Sequence, residues 1–243
     1  MSSHFTPHES FPSYSQIFLT TAYNCTLYIF NSTFLMRYTG PKAKKCRRVG
    51  VNLFGSDKYD KIMQKKPAAP GKAPNLKGGR GSKLSEYGRQ LMEKQKVCLV
   101  YGVHDRQLSR MYGEATKRVG ATDTLIKASL ESRLDSALFR AGFANTRIQA
   151  RQFISHGLFT VNGQRVTIAS YQVKPGDKVA VRTQTKGSSV FTGILEAHQR
   201  YSAPDWLKVD TNALSFEVMA LPSEEKHFEQ AIDMRKVIGF YSR

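Results

Sequence analysis

From residue 84 onward, apolar positions recur with a helical period. Leu84, Tyr87, Leu91, Cys98 and Tyr101 fall on one stripe, with Lys83, Arg89, Lys94 and Lys96 off it, which predicts an amphipathic helix. Asp105 is the expected N-cap of a second helix. It carries Leu108, Met111, Tyr112, Ala115 and Val119 on one face and Arg106, Arg110, Lys117 and Arg118 largely elsewhere. A third helical run covers Leu125 to Leu130, beginning near Thr122 or Asp123. The apolar stripes read as core, and the basic faces are the candidate contacts.

The pattern shifts after residue 132. Leu134, Ala137, Leu138 and Ala141 predict a short helix bearing Arg133 and Arg140 and stopped by Gly142. Thr146-x-x-Gln149 is a capping box that opens another helix, with Ala150, Phe153 and Ile154 as its buried side. Arg147 and Arg151 lie four apart and are expected to stack on one exposed face, and Gly157 closes the helix as its C′ residue. The period then becomes two. Leu158–Val161 and Gln164–Val166 flank Asn162-Gly163, a strong hairpin signal. Lys174-Pro175-Gly176-Asp177 is a turn before a strand over Lys178–Arg182. Two short helices followed by a small sheet form a compact unit whose positive helix N-terminus and arginines suit a phosphate backbone.

Upstream, proline and glycine predict an irregular chain. Gly40 to Ser82 reads as a loose basic arm, with Lys42, Lys44, Lys45, Arg47 and Arg48 clustered at its start. Its glycines do not form a nucleotide loop, since GxxxxGK[ST] is absent. Residues 1–36 differ again: they hold no Lys or Arg and one acid, Glu9. The abrupt switch at Met36-Arg37 points to Met36 as the start, with 1–35 a spurious upstream extension or a disordered tail.

Charge sharpens this picture. The 243 residues carry 37 Lys+Arg against 19 Asp+Glu, a net +18, and residues 37–120 alone hold 21 basic and six acidic residues. Charge concentrated in this way points to a polyanion. No run reaches the ~18 apolar residues of a membrane span. Cys25, Cys46 and Cys98 are far apart with no CxxC, which argues against a disulfide framework and a four-cysteine zinc site. No HExxH, nucleophile elbow or convergent acid pair appears, so no catalytic residue is expected. His156 can donate to RNA or simply cap its helix. Trp206 reads as a packing anchor, and the acidic residues of 183–243 as offsets to local basicity or contacts to a protein neighbour.

Several segments carry a family resemblance. Ser132-Arg133-Leu134-Asp135, Ala144-Asn145-Thr146-Arg147-Ile148-Gln149-Ala150-Arg151-Gln152, Ser155-His156-Gly157, Val161-Asn162-Gly163 and Ser170 to Asp177 resemble the RNA-binding module named after small-subunit ribosomal protein four. That module is also similar to parts of pseudouridine synthases and tyrosyl-tRNA synthetases. The flanks narrow the choice. Arg37-Tyr38-Thr39-Gly40-Pro41-Lys42, Lys83 to Gly88, Tyr101-Gly102-Val103, Pro204-Asp205-Trp206-Leu207 and Phe240-Tyr241-Ser242-Arg243 resemble, in colinear order, the bacterial-type ribosomal protein four family.

The resemblance implies an α+β fold. A basic N-terminal arm (36–83) precedes a helical rRNA-binding domain (84–131), an inserted module of two short helices and a small antiparallel sheet (132–194), and a C-terminal extension (195–243) packing on the helical domain. It implies direct binding to small-subunit rRNA, an early role in subunit assembly, a place beside ribosomal protein five near the mRNA entry, and a cytoplasmic, ribosomal location. RNA contacts would fall on Lys42, Lys44, Lys45, Arg47, Arg48, Lys83, Tyr87, Lys94 and Lys96, and in the module on Arg133, Arg140, Asn145, Thr146, Arg147, Arg151, Gln152, Ser155 and His156. Some members hold zinc with four N-terminal cysteines. Here Cys46 stands at one such place but Ala43 at another, so no zinc and no other cofactor is expected. Two other readings are an RNA-modifying enzyme of pseudouridine synthase type, for which 183–243 is too short a catalytic domain, and a stress-type ribosome-binding protein built on the same module.

Overall fold

The computed structural model describes residues 38, 40–71, 85–186, 191, 203–223, 229 and 231–243. Residues 39–243 group as one unit, apart from Met1–Tyr38. The expected start at Met36, the extension 1–35 and Lys83 lie outside the described residues.

The described part of the basic arm carries helices where an irregular chain is expected. Helices α1 (Lys42–Val49) and α2 (Asp57–Lys65) occupy it and pack together. Pro41 precedes α1 at its N-cap, and Gly50, at φ +79°, ends it by donating to the Cys46 carbonyl. These two residues therefore punctuate a helix rather than prevent one. The connection is an Asn52 loop. Its side-chain oxygen accepts from the backbone N–H groups of Phe54 and Gly55, and its amide donates to the Ser56 carbonyl and to Asp60. Arg47 donates to the carbonyls of Lys66 and Ala68, fastening the chain after α2 to α1.

Three further helices follow where the apolar stripes place them: α3 (Glu86–Tyr101), α4 (Asp105–Ala115) and α5 (Thr122–Glu131). Helix α4 stops at Ala115, so Val119, expected on its apolar face, lies beyond the helix and is exposed. Ser85 caps α3 by accepting from the Gly88 N–H. The N-cap of α4 is His104, one residue before the expected Asp105. Asp105 is instead bound across space, accepting from the Tyr241 hydroxyl at 2.7 Å and pairing with Lys94 at 3.0 Å.

Two shorter helices, α6 (Leu134–Arg140) and α7 (Arg147–Ser155), open the small unit. The Thr146 hydroxyl caps α7 by accepting from Gln149 N–H. The return bond of the capping box is displaced by one residue, the Gln149 side chain accepting from Asn145 N–H. Strands β1 (Phe159–Val161) and β2 (Gln164–Arg165) form the expected hairpin, with Asn162 and Gly163 at φ +50° and +83°. Both central residues are left-handed, as the turn that matches strand twist requires. Strand β3 (Lys178–Val181) pairs with β1.

The sheet does not end there. Strands β4 (Leu207–Asp210) and β5 (Ser215–Val218) extend it in the order β2-β1-β3-β5-β4, antiparallel throughout. Phe143, Phe159, Phe191, Phe216 and Trp206 fill the core beneath it, together with Leu134, Leu138 and Ile154. The C-terminal residues therefore divide. β4 and β5 complete the module's sheet, whereas α8 (Met234–Tyr241) packs on the helical region, against α3, α4 and α5.

Candidate nucleic-acid interface

Each candidate residue is positioned by the element that carries it, and the candidate arginines of the module, Arg133, Arg140, Arg147 and Arg151, prove to face inward. Glu131 ends α5 and is 0% exposed. Its carboxylate accepts from the Tyr101 hydroxyl of α3 at 2.7 Å, from Arg140 of α6 through two nitrogens at 3.0 Å, and from Arg147 of α7 at 3.1 Å. Arg147 also donates to Glu229 at 2.8 Å, and its guanidinium lies between the rings of Tyr101 and Phe139, 4.6 and 4.5 Å from their centroids. Arg140 reaches the same Glu229 at 3.4 Å. Two arginines and two glutamates thus neutralise one another, as burial demands of charges held away from water.

Their ionisation follows from that geometry. Burial opposes the charge on Arg140 and on Arg147, but the Glu131 carboxylate overrides it and raises both. Burial likewise works against the Glu229 carboxylate, yet Arg147 and Arg140 hold it below the ordinary glutamate range. Burial, and then Glu131, push the Tyr101 phenol well up.

A second knot centres on Asp135, also buried. Arg133 forks onto it at 3.1 and 2.9 Å, and Arg151 approaches from α7. Arg151 further donates to the carbonyls of Gly102 and Tyr101 at 2.8 and 3.1 Å, satisfying the open C-terminal end of α3.

These contacts correct the expected surface. Arg147 is only 10% exposed and Arg133 only 4%, so neither stands on an exposed face, and Arg140 and Arg151 are largely covered. Lys94 and Lys96 are each 12% exposed. Lys94 lies over the Phe240 ring at 4.2 Å and pairs with Asp105, and Lys96 pairs with Glu93 at 2.6 Å. Spacing could place these residues on helices but could not show which face the next helix covers. Sequence reasoning misses the carboxylates that hold these arginines: it does not single out Glu131, and it takes Glu229, with the other acids of 183–243, as an offset to local basicity or a contact to a protein neighbour.

Other candidates do face solvent. Lys44 and Arg48 project from α1, while Asn145, Gln152, Ser155 and His156 line the outer side of α7. His156 is the C-cap of α7. Thr146 is half-buried in its capping role, Lys42 lies over the Phe54 ring, Lys45 is half-buried, and Tyr87 is 49% exposed beside Phe240 and Arg243. The structure adds Arg165, exposed on β2 beside His156 and donating to its carbonyl at 3.5 Å. The exposed α7 side and the hairpin thus form one polar ridge of side chains able to donate to phosphates and 2′-hydroxyls.

Among the described residues, no three His, Cys, Asp or Glu side chains converge to hold a metal, and no helix is long and apolar enough to cross a membrane. Helices that hold a small antiparallel module and offer polar, cationic surfaces are the architecture of an RNA-binding protein. The family model for the ribosomal protein S4/S9 N-terminal domain matches residues 37–131, and that for the S4 domain matches residues 132–179. A protein of Akkermansia muciniphila named small ribosomal subunit protein uS4 is 41% identical over 209 residues, covering 86% of this chain and 100% of the relative. Its counterpart in a Roseiflexus species is 40% identical over 211 residues with the same coverage, and that of a Thermoanaerobacter species is 41% identical over 209 residues, covering 85% of this chain and 99% of the relative. The chain belongs to the uS4 family of small ribosomal subunit proteins, which are structural components and not enzymes.

Proposed function

We propose that this protein is a structural constituent of the small ribosomal subunit that binds small-subunit rRNA directly. The observation that carries the reading is the 41% identity to a small ribosomal subunit protein along that relative's whole length. The exposed cations support it. Lys44 and Arg48 on α1, and Arg165 with Gln152, Ser155 and His156 at the α7 ridge, offer phosphate and 2′-hydroxyl contacts on both parts of the molecule. Lys and Arg at such positions release counterions when they meet phosphates, so binding weakens with salt.

The finer role is an early one. The protein nucleates subunit assembly, lies next to ribosomal protein five, borders the path of mRNA and contributes to accurate translation, in the cytoplasm. The test is co-sedimentation with small subunits, followed by titration of a transcript of the 5′ domain of the small-subunit rRNA at several salt concentrations. Salt-sensitive binding preferred over an unrelated transcript of equal length supports the reading; equal affinity for both refutes it.

A further inference from the structure

The described hydrophobic cluster of the module draws all its residues from between Leu134 and Val218. The helical region has its own buried residues, among them Val97, Cys98, Tyr101, Leu108, Ile126 and Leu130, and none of these belongs to that cluster. Direct packing between α5 and α6 is where their helices meet. Among the described residues, directional polar contacts also span the junction: the Glu131 knot, which gathers α3, α5, α6 and α7 on one carboxylate, and the Arg151 bonds to the end of α3. Apolar contact tolerates sliding, whereas a buried ion with fixed donors allows few arrangements, the setting in which buried charges specify geometry.

We propose that Glu131 is a positioning residue that sets the orientation of the module relative to the helical region, and so presents the α1 cations and the α7 ridge to one folded RNA. The inference rests on the reading above that both parts address the same RNA. Glu131 touches no RNA itself, being fully buried. If its loss leaves the binding-competent orientation about one-tenth populated, the apparent Kd rises about tenfold while every phosphate contact stays in place.

The test uses the full chain in a Cys25→Ser background, since Cys46 and Cys98 are buried. Spin labels are placed at Val119→Cys, in the turn after α4, and Ile168→Cys, after β2, both exposed. Distance distributions are compared for the native chain and Glu131→Gln, beside titration of the rRNA 5′-domain transcript. The expected result is one narrow distance in the native chain, a broadened one in Glu131→Gln, and a Kd raised about tenfold with an unchanged salt slope. Should Glu131→Gln not fold, Glu229→Gln, which removes the outer carboxylate of the same knot, is read in its place. A distribution as narrow as the native one overturns the proposal, and so does a broadened distribution with unchanged Kd. Failure of the native chain to bind the transcript refutes the proposed function instead, while the distance measurement still reports on the joint.

Discussion

Arg151 donates to the carbonyl oxygen of Gly102 at 2.8 Å, across 49 residues of chain. Gly102 is the left-handed C-cap of α3, at φ +58°, and a Cβ placed there would lie 2.7 Å from the Arg151 guanidinium. That guanidinium cannot simply swing aside, because Asp135 and the Tyr101 carbonyl hold it. Gly102→Ala is therefore expected to destabilise the protein by about 1–2 kcal/mol, from left-handed strain plus a weakened joint. Urea unfolding of the two proteins checks this.

Arg147→Ala should act on stability before it acts on RNA. It leaves Arg140 as the one cation among the described residues that Glu131 and Glu229 share, and removes the guanidinium packed on Tyr101 and Phe139. Removing one partner of a buried ion pair costs about 3–5 kcal/mol. The expected outcome is a large fall in the urea midpoint, with the salt slope of rRNA binding unchanged where the variant remains folded.

Exposed cations should show the opposite behaviour. The double variant Lys44→Ala/Arg48→Ala is expected to keep its melting temperature and to weaken rRNA binding. The salt slope should fall by about 0.9 for each duplex phosphate that is no longer neutralised. Filter binding at four or more salt concentrations gives that slope, and an unchanged slope removes α1 from the interface.

Acid should loosen the joint through Glu229. Its carboxyl sits below the ordinary value of 4.5, since burial works against its charge but Arg147 and Arg140 more than compensate. As pH falls the unfolded chain takes up this proton first. The stability from this group is therefore present above the ordinary value and is lost as pH drops through the depressed one. Unfolding free energy followed as the pH is lowered from neutral through the ordinary value and below should decline less steeply in Glu229→Gln than in the native chain.

Thiol chemistry reports on the helical region. Burial, then the neighbouring Asp105 carboxylate, push the Cys98 thiol to about 12, and Cys46 is raised by its own burial. With so little thiolate at neutral pH, neither residue should be alkylated in the native protein. Mass spectrometry after brief iodoacetamide treatment should find both labelled only once urea has opened the fold.

Most of the local structure is legible in the residues. Apolar stripes predicted α3, α4 and α5, Thr146 and Gln149 marked the start of α7, and Asn162-Gly163 marked the hairpin, because caps and turns are decided within a few residues. The helices α1 and α2 were hidden because Pro41 and Gly50 are breakers inside an element but signals at its ends, and spacing alone does not distinguish the two. Family resemblance supplied arginines as RNA contacts, but a long cationic side chain turns toward whichever carboxylate the fold brings near. Glu131 and Glu229 are 98 positions apart in the chain, so their meeting around Arg147 is a property of the assembled tertiary structure.

The sheet register bears on how the molecule can be dissected. Val179 of β3 lies opposite Phe216 of β5, and Phe216 stacks on Phe143 at 5.9 Å. A fragment excised at residue 179, where the recognisable motif stops, would lose Val181 and the whole β5 rung and lay the Phe143 ring open to solvent. Such a piece would present a bare, sticky strand edge, so the smallest autonomous domain has to run on through Val218.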